Sequence, residues 1–264
     1  MNGIYCMRPI NVLKNIKHIE FTPKLRKYLI NLAIRVAIFI TILVLYLFRK
    51  EVVLYFMTHP FSMGFTFSHL VWGIMMFIMV LHLFPNKLRS MARLKAEKHY
   101  FTPVKGYSEN KLLKYIMDEN RKALTVLLCW VSLNAVFGIL YLLHVLAASD
   151  LFMLTVFFFL SDYVCIIFFC PFQNAIMKNR CCVNCRIYDW GHFMIFTPML
   201  FIKGFFSWSL FFTSLIIMIR WEVAYTRYPQ RFWSGSNKNL QCSSCKDKTC
   251  QIKKAISDGV RKKP

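Results

Sequence analysis

Apolar residues fall along this chain in long unbroken blocks, with no alternation of apolar and polar positions. Four blocks, Tyr28 to Phe48, Thr66 to Phe84, Ala123 to Ala147 and Leu151 to Pro171, lie near the ~20 residues with which a helix crosses a bilayer. A fifth runs from His192 to Ile219. In hydrocarbon only helices and closed barrels satisfy every backbone group, and barrel strands need the period of two that is missing here. The pattern predicts an all-α, polytopic helical membrane protein. It has four full transmembrane helices plus a fifth membrane segment, re-entrant or tilted.

The fifth block decides the topology. As one helix its 28 residues would be about 42 Å long, long for one span and too short for two. Lys203-Gly204 interrupts it and Pro198 precedes the break, which suits a segment that enters and returns under protein cover.

Charge bears on the same point. Of 34 Lys and Arg, six precede the first block, two follow it, ten lie between Pro85 and Lys122, three between Asn174 and Gly191, and eleven after Ile219. Cationic residues concentrate in cytoplasmic loops. With an inside amino terminus and an even number of crossings, 30 face inward and two outward. Both termini are therefore expected in the cytoplasm. The organisation that follows is a basic interfacial segment (1–27), a membrane domain (28–219) with a basic loop (85–122) and a Cys-rich loop (174–191), and a basic Cys-rich tail (220–264).

Composition adds weight, since 57% of residues are apolar, including 26 Phe, against roughly 45–50% in a soluble domain. Met1 to Lys27 lack the apolar core and small-residue cleavage site of a signal peptide, so the first membrane helix is expected to do the targeting. A net charge of +22 would suggest nucleic acid in a soluble chain. Here the expected partner is a bilayer with anionic headgroups, met by the basic loop and by an aromatic and basic belt from Trp221 to Trp233.

Six of the ten cysteines cluster, Cys181, Cys182 and Cys185 after the fourth block and Cys242, Cys245 and Cys250 in the tail. A Cys-x-x-Cys turn converges two thiolates on one ion, and two turns supply a Cys₄ set. Cys182, Cys185, Cys242 and Cys245 are the expected metal ligands for an iron–sulfur cluster or zinc, with Cys181 and Cys250 as alternates or redox thiols. Arg180, Arg186, Lys246 and Lys248 would offset the thiolate charge. Cys129, Cys165 and Cys170 read as packing residues, and Cys6 has no visible partner. The run from Cys165 to Pro171 resembles the Cys-x-x-x-Cys-Pro elements of membrane ferredoxin-type electron-transfer proteins. It is one residue too long and no ferredoxin cysteine run follows, so the likeness transfers no function.

Charges at bilayer depth mark pathways or ion pairs. Asp162 and Lys203 each lie eleven residues into an apolar block, so they are expected to pair or to share a polar cavity, while Arg35 is expected to snorkel to headgroups. His69 and His144 share a depth near the outer surface and could bind a haem or metal axially. Asn134 is expected to bridge helices.

Three functions follow. The leading one is a redox protein whose cysteine metal centre passes electrons to a partner protein or to a quinone. The second is a transporter or membrane scaffold with a structural zinc site. The third is a quinone-linked thiol oxidoreductase like the four-helix disulfide-forming enzymes of bacterial membranes, which work on the exported side, against the charge argument. No phosphate loop, nucleophile elbow or zinc-protease motif is present.

Overall fold

The computed structural model describes residues 21–49, 51, 60–62, 65–84, 90–179 and 181–261. Cys6, the amphipathic stretch before Phe21, Lys87, Arg89 and Arg180 lie outside them.

Apart from a short hairpin, β1 (Pro60–Ser62) with β2 (Phe65–Thr66), the described secondary structure is helical. The helices are α1 (Pro23–Phe48), α2 (Phe67–Leu83), α3 (Met91–Leu94), α4 (Glu109–Leu142), α5 (Ala148–Ile167), α6 (Pro171–Ala175), α7 (Gly191–Phe196), α8 (Phe205–Arg227) and α9 (Cys250–Arg261). Helix α1 starts where Thr22 caps the Leu25 N–H at 3.1 Å and Pro23 presets the first turn. Helix α4, about 51 Å long by its 34 residues, exceeds a bilayer core, and its first turns are polar.

Among the described residues four helices are long and apolar enough to cross a membrane: α1, α4, α5 and α8. Two of the expected membrane segments differ in length from their apolar blocks. The second apolar block forms only a 17-residue helix, α2, whereas the fifth contains a full-length one. The exposed surface agrees with a hydrocarbon solvent, because Ile34, Leu47, Phe77, Leu128, Val136 and Phe212 are all exposed. A surface this apolar is stable only out of water.

The chain breaks at Ile202–Gly204, as its Lys-Gly interruption suggests. Before the break α7 and a 3₁₀ turn (Thr197–Phe201) run one way; after it α8 runs back along them. Gly204 has φ 157°. The halves are held by polar contacts suited to a medium without water: Trp130 Nε1 donates to Thr197 Oγ1 at 3.1 Å, and Trp72 Nε1 to Ser209 Oγ at 2.8 Å. Gly138 lets the Phe201 ring approach, since a Cβ there would lie 2.3 Å from the ring.

Contacts sort the molecule into two ends. Tyr46 at the end of α1 bonds Asp150 at the start of α5, and His69 opposes Phe206 near the Lys-Gly break. At the other end Leu25, Ile167 and Ile252 share one cluster. That basic end holds the start of α1, the cysteine loop and the tail.

Several loop expectations are corrected there. Trp221, Tyr225 and Phe232, read as an interfacial belt, are at most 3% exposed. Lys95, read as facing lipid, is 2% exposed and donates to the Cys185 carbonyl at 3.1 Å beside the Trp221 and Phe232 rings. Asn134 donates to Trp130 O in its own helix at 2.9 Å and does not bridge helices.

Candidate functional site

The site is built at the basic end by two anchors. Asp247, almost fully buried, pairs with Lys24 at 3.0 Å and accepts the Met91 N–H at 2.9 Å, while its carbonyl accepts from Thr22 Oγ1 at 3.2 Å. One carboxylate thereby ties the tail to α1 and α3. The second anchor fixes the cysteine loop. Arg186 grips Glu222 of α8 with both guanidinium arms, one at 2.8 Å, and lies over the Tyr225 ring. Trp221 Nε1 donates to Arg186 O at 2.8 Å, and Trp190 Nε1 to Glu222 at 2.7 Å. Arg186 is therefore committed to Glu222, and Lys95 and Lys253 take over the expected role of cation beside the thiols.

Held this way, the loop and tail cysteines meet. Cys250, the first residue of α9, lies within electrostatic reach of Cys181. The Cys181 backbone is fixed on both sides: its N–H donates to Asn179 Oδ1 at 2.8 Å and its carbonyl accepts the Asn184 N–H at 3.2 Å. Cys245 packs with Cys181 against Val183 and Leu240, and Cys242 and Cys245 both lie within electrostatic reach of Cys250. One turn along α9, Lys253 Nζ reaches the Cys182 sulfur at 3.1 Å and Gln173 Oε1 at 2.5 Å. The Cys182 thiol donates to the Ile166 carbonyl at 3.3 Å.

The members of this group differ in burial. Cys185 of the first Cys-x-x-Cys pair sits in the main hydrophobic core, and burial pushes its thiol up to about 12. Cys182 is also pushed up by burial, against the pull of Lys253. Cys181 behaves oppositely: the neighbouring Cys250 thiol, above all, and the nearby backbone N–H groups hold it down to about 6, with Lys95 adding a smaller pull. Cys250 is pushed up by the same neighbour. Among the described residues no three Cys, His, Asp or Glu groups converge in a way that could hold a metal ion. Of the expected quartet, Cys182 and Cys185 are buried, Cys245 is half-buried and Cys242 is exposed.

The intramembrane pair also differs from expectation. Asp162 bonds Arg35 at 3.1 Å, and Arg35 lies over the Phe159 and Tyr163 rings and donates to the Phe159 carbonyl. Arg35 turns inward and does not snorkel. Lys203 lies exposed at the chain break, and among the described residues no ion pair joins it to Asp162. Asp162 packs against Gly191, where a Cβ would sit 2.7 Å from its Oδ1.

His69 is engaged locally, and His144 is exposed. His69 Nδ1 accepts the Thr66 N–H at 3.1 Å and its ring meets Phe206 edge-on. His144 is exposed in a left-handed turn, φ 58°, after α4. The histidines that do meet are His82 and His192, 2.6 Å apart. Arg93 can only donate, so its 2.5 Å contact makes His82 Nε2 an acceptor and leaves Nδ1–H to donate to His192 Nε2. Arg93 also pairs with Asp189 at 2.9 Å. Spacing could not reveal this group, because His82 and His192 stand 110 positions apart.

No protein-family model, curated protein or solved structure matches this chain. The fold is that of a helical membrane protein, with Cys181 of its loop and Cys245 of its tail packed on one cluster beyond one end of the helices.

Proposed function

We propose that this chain is a membrane-bound redox protein that works by thiol–disulfide exchange at its basic end, the end expected to face the cytoplasm. One observation carries the reading: loop and tail cysteines come together, Cys181 and Cys245 packing on the same small cluster with Cys250 within electrostatic reach of both. A thiolate is the attacking species in disulfide exchange, and a pKa near the ambient pH suits it best.

In this reading the Cys181 thiolate attacks one sulfur of a substrate disulfide. A mixed disulfide forms, and the departing substrate thiolate takes the Cys250 proton. Cys250, now a thiolate, attacks Cys181 Sγ, closing the Cys181–Cys250 disulfide and expelling the second substrate thiolate, which is protonated from water. The substrate gains two electrons and the pair loses two. A low-molecular-weight dithiol reverses the sequence and restores the pair. Lys95 helps to hold charge on Cys181, and Cys242, which is exposed, stands where a partner could reach the tail.

A second reading keeps a zinc or iron–sulfur centre in the same place and rests on the nearness of Cys242 and Cys245 to Cys250. Anaerobic purification followed by metal and acid-labile sulfide analysis, an absorption spectrum and thiol titration separates the two. The exchange reading expects two thiols to be lost reversibly on mild oxidation, and their loss to vanish in Cys181→Ser. Stoichiometric zinc, or iron with sulfide, held by these cysteines would overturn it in favour of a metal centre.

A further inference from the structure

Three helices meet at a chain of hydrogen bonds that all point one way. Arg93 of α3 donates to His82 Nε2 at 2.5 Å, and His82 Nδ1–H, in the last turn of α2, donates to His192 Nε2 of α7 at 2.6 Å. The two imidazole rings lie 4.5 Å apart. Both acceptors are bare ring nitrogens, so the chain exists only while both histidines are neutral. A proton on His82 Nε2 would set two donors against each other, and a proton on His192 Nε2 would remove the acceptor for His82. The carboxylates nearby are already matched: Asp189 to Arg93 at 2.9 Å, Glu97 to Arg220 of α8 at 3.5 Å, and Asp162 of α5 to Arg35 of α1 at 3.1 Å. Arg220 also donates to the carbonyls of His82 and Leu83, the first at 3.5 Å, and Arg93 and Arg35 both lie within electrostatic reach of His192. A cavity of about 20 Å³, room for one water molecule, is lined by His82, Arg93, Glu97, Asp189 and Arg220.

We propose that His82 and His192 form a proton-operated latch, which holds α3 against the cysteine cluster while both rings are neutral and releases it when either takes up a proton. The link runs through α3, which has only four residues, Met91–Leu94. Its Arg93 ends the hydrogen-bond chain, while Met91 and Leu94 pack with Val183 and Leu240 in the cluster that Cys181 and Cys245 join. The Met91 N–H donates to Asp247 of the tail at 2.9 Å. A helix this short does not sustain itself, so these contacts fix its place. Because the folded state disfavours the protonated rings, the contribution of the latch is present above the imidazole range and is lost as pH falls through it, between about pH 7 and pH 5. The latch stands independently of the thiol-exchange reading, which only gives the released cysteines a use.

The test follows backbone hydrogen exchange of the full chain in lipid nanodiscs by mass spectrometry at about pH 8 and about pH 5, each rate divided by its intrinsic value. Peptides covering 90–97 and 181–190 are expected to lose protection roughly tenfold at the lower pH, the effect of losing one hydrogen bond to a charged group, and those covering 150–160 in α5 to stay unchanged. The double variant His82→Gln with His192→Gln, which cannot titrate there, is expected to show no pH response. Ring ¹⁵N spectra of the wild type give a readout that needs no variant to fold. A scalar coupling across the N–H···N bond is expected at the higher pH and its loss at the lower one. Cys181→Ser is expected to keep the exchange response. Equal protection of either segment at both pH values, or no coupling between two histidine rings at the higher pH, would overturn the latch. So would a response that survives in the double histidine variant. A response that vanishes in Cys181→Ser would also overturn it, leaving the cysteines as the sensor and the thiol-exchange reading intact.

Discussion

The Arg35–Asp162 pair allows the most demanding test of the membrane domain. Asp162 lies about 21 Å along α5, a helix about 30 Å long by its 20 residues, so it sits nearer the basic end than the midplane. Both side chains are largely buried, 14% and 23% exposed. Arg35→Met would leave a carboxylate facing hydrocarbon with its cation removed, a change that costs about 3–5 kcal/mol. Asp162→Asn is milder. Arg35 would keep the Phe159 carbonyl and two aromatic faces, 3.8 and 3.9 Å from its guanidinium carbon, and each face contributes ~0.5–2 kcal/mol. The double variant should therefore be more stable than Arg35→Met alone, because it strands no charge. Reversible unfolding in mixed SDS and dodecylmaltoside, followed by circular dichroism, measures the cycle, and a coupling of ~1–3 kcal/mol is expected. Lys203→Met combined with Asp162→Asn should show none. Additive losses for Arg35 with Asp162, or coupling between Lys203 and Asp162, would refute the assignment.

Other consequences follow from the same contacts. Gly191→Ala drives a methyl group to 2.7 Å from Asp162 Oδ1 and should destabilise the same unfolding transition by ~1–3 kcal/mol, whereas Gly73→Ala, with open space around it, should be neutral or slightly stabilising. Alkylation of Cys181 by iodoacetamide should rise with pH around a midpoint near 6 and shift upward in Cys250→Ser. Because its folded pKa lies below the ordinary 9.0, the Cys181 contribution to stability is present above that value and is lost as pH falls toward about 6. Cys250 is shifted the opposite way, so its contribution is lost at high pH, and the linkage is greatest while the pair holds one proton. A reporter active only in the exported compartment, fused after Pro264, should be silent if the basic end faces the cytoplasm; activity there would reverse the proposed orientation.

Residue order alone determined the solvent of this protein. Blocks of about 20 apolar residues without alternation admit only helices in hydrocarbon, and the chain forms them. It also located the break in the fifth segment, because Lys203-Gly204 cannot continue an apolar helix in comfort, and the chain doubles back there. What sequence could not determine was which polar group meets which. Equal depth suggested Lys203 for Asp162, yet depth leaves the helix face open, and the packing of α1 on α5 delivers Arg35 instead. Spacing likewise marked Cys182 and Cys185 as ligands, since Cys-x-x-Cys is a local pattern. Only tertiary structure turns Cys185 into the core through the Arg186–Glu222 anchor, brings the tail over the loop through Asp247, and sets Cys181 against Cys250. His82 and His192 became partners for the same reason: a short hydrogen bond needs two side chains at one place and angle, and that is decided by how the elements pack.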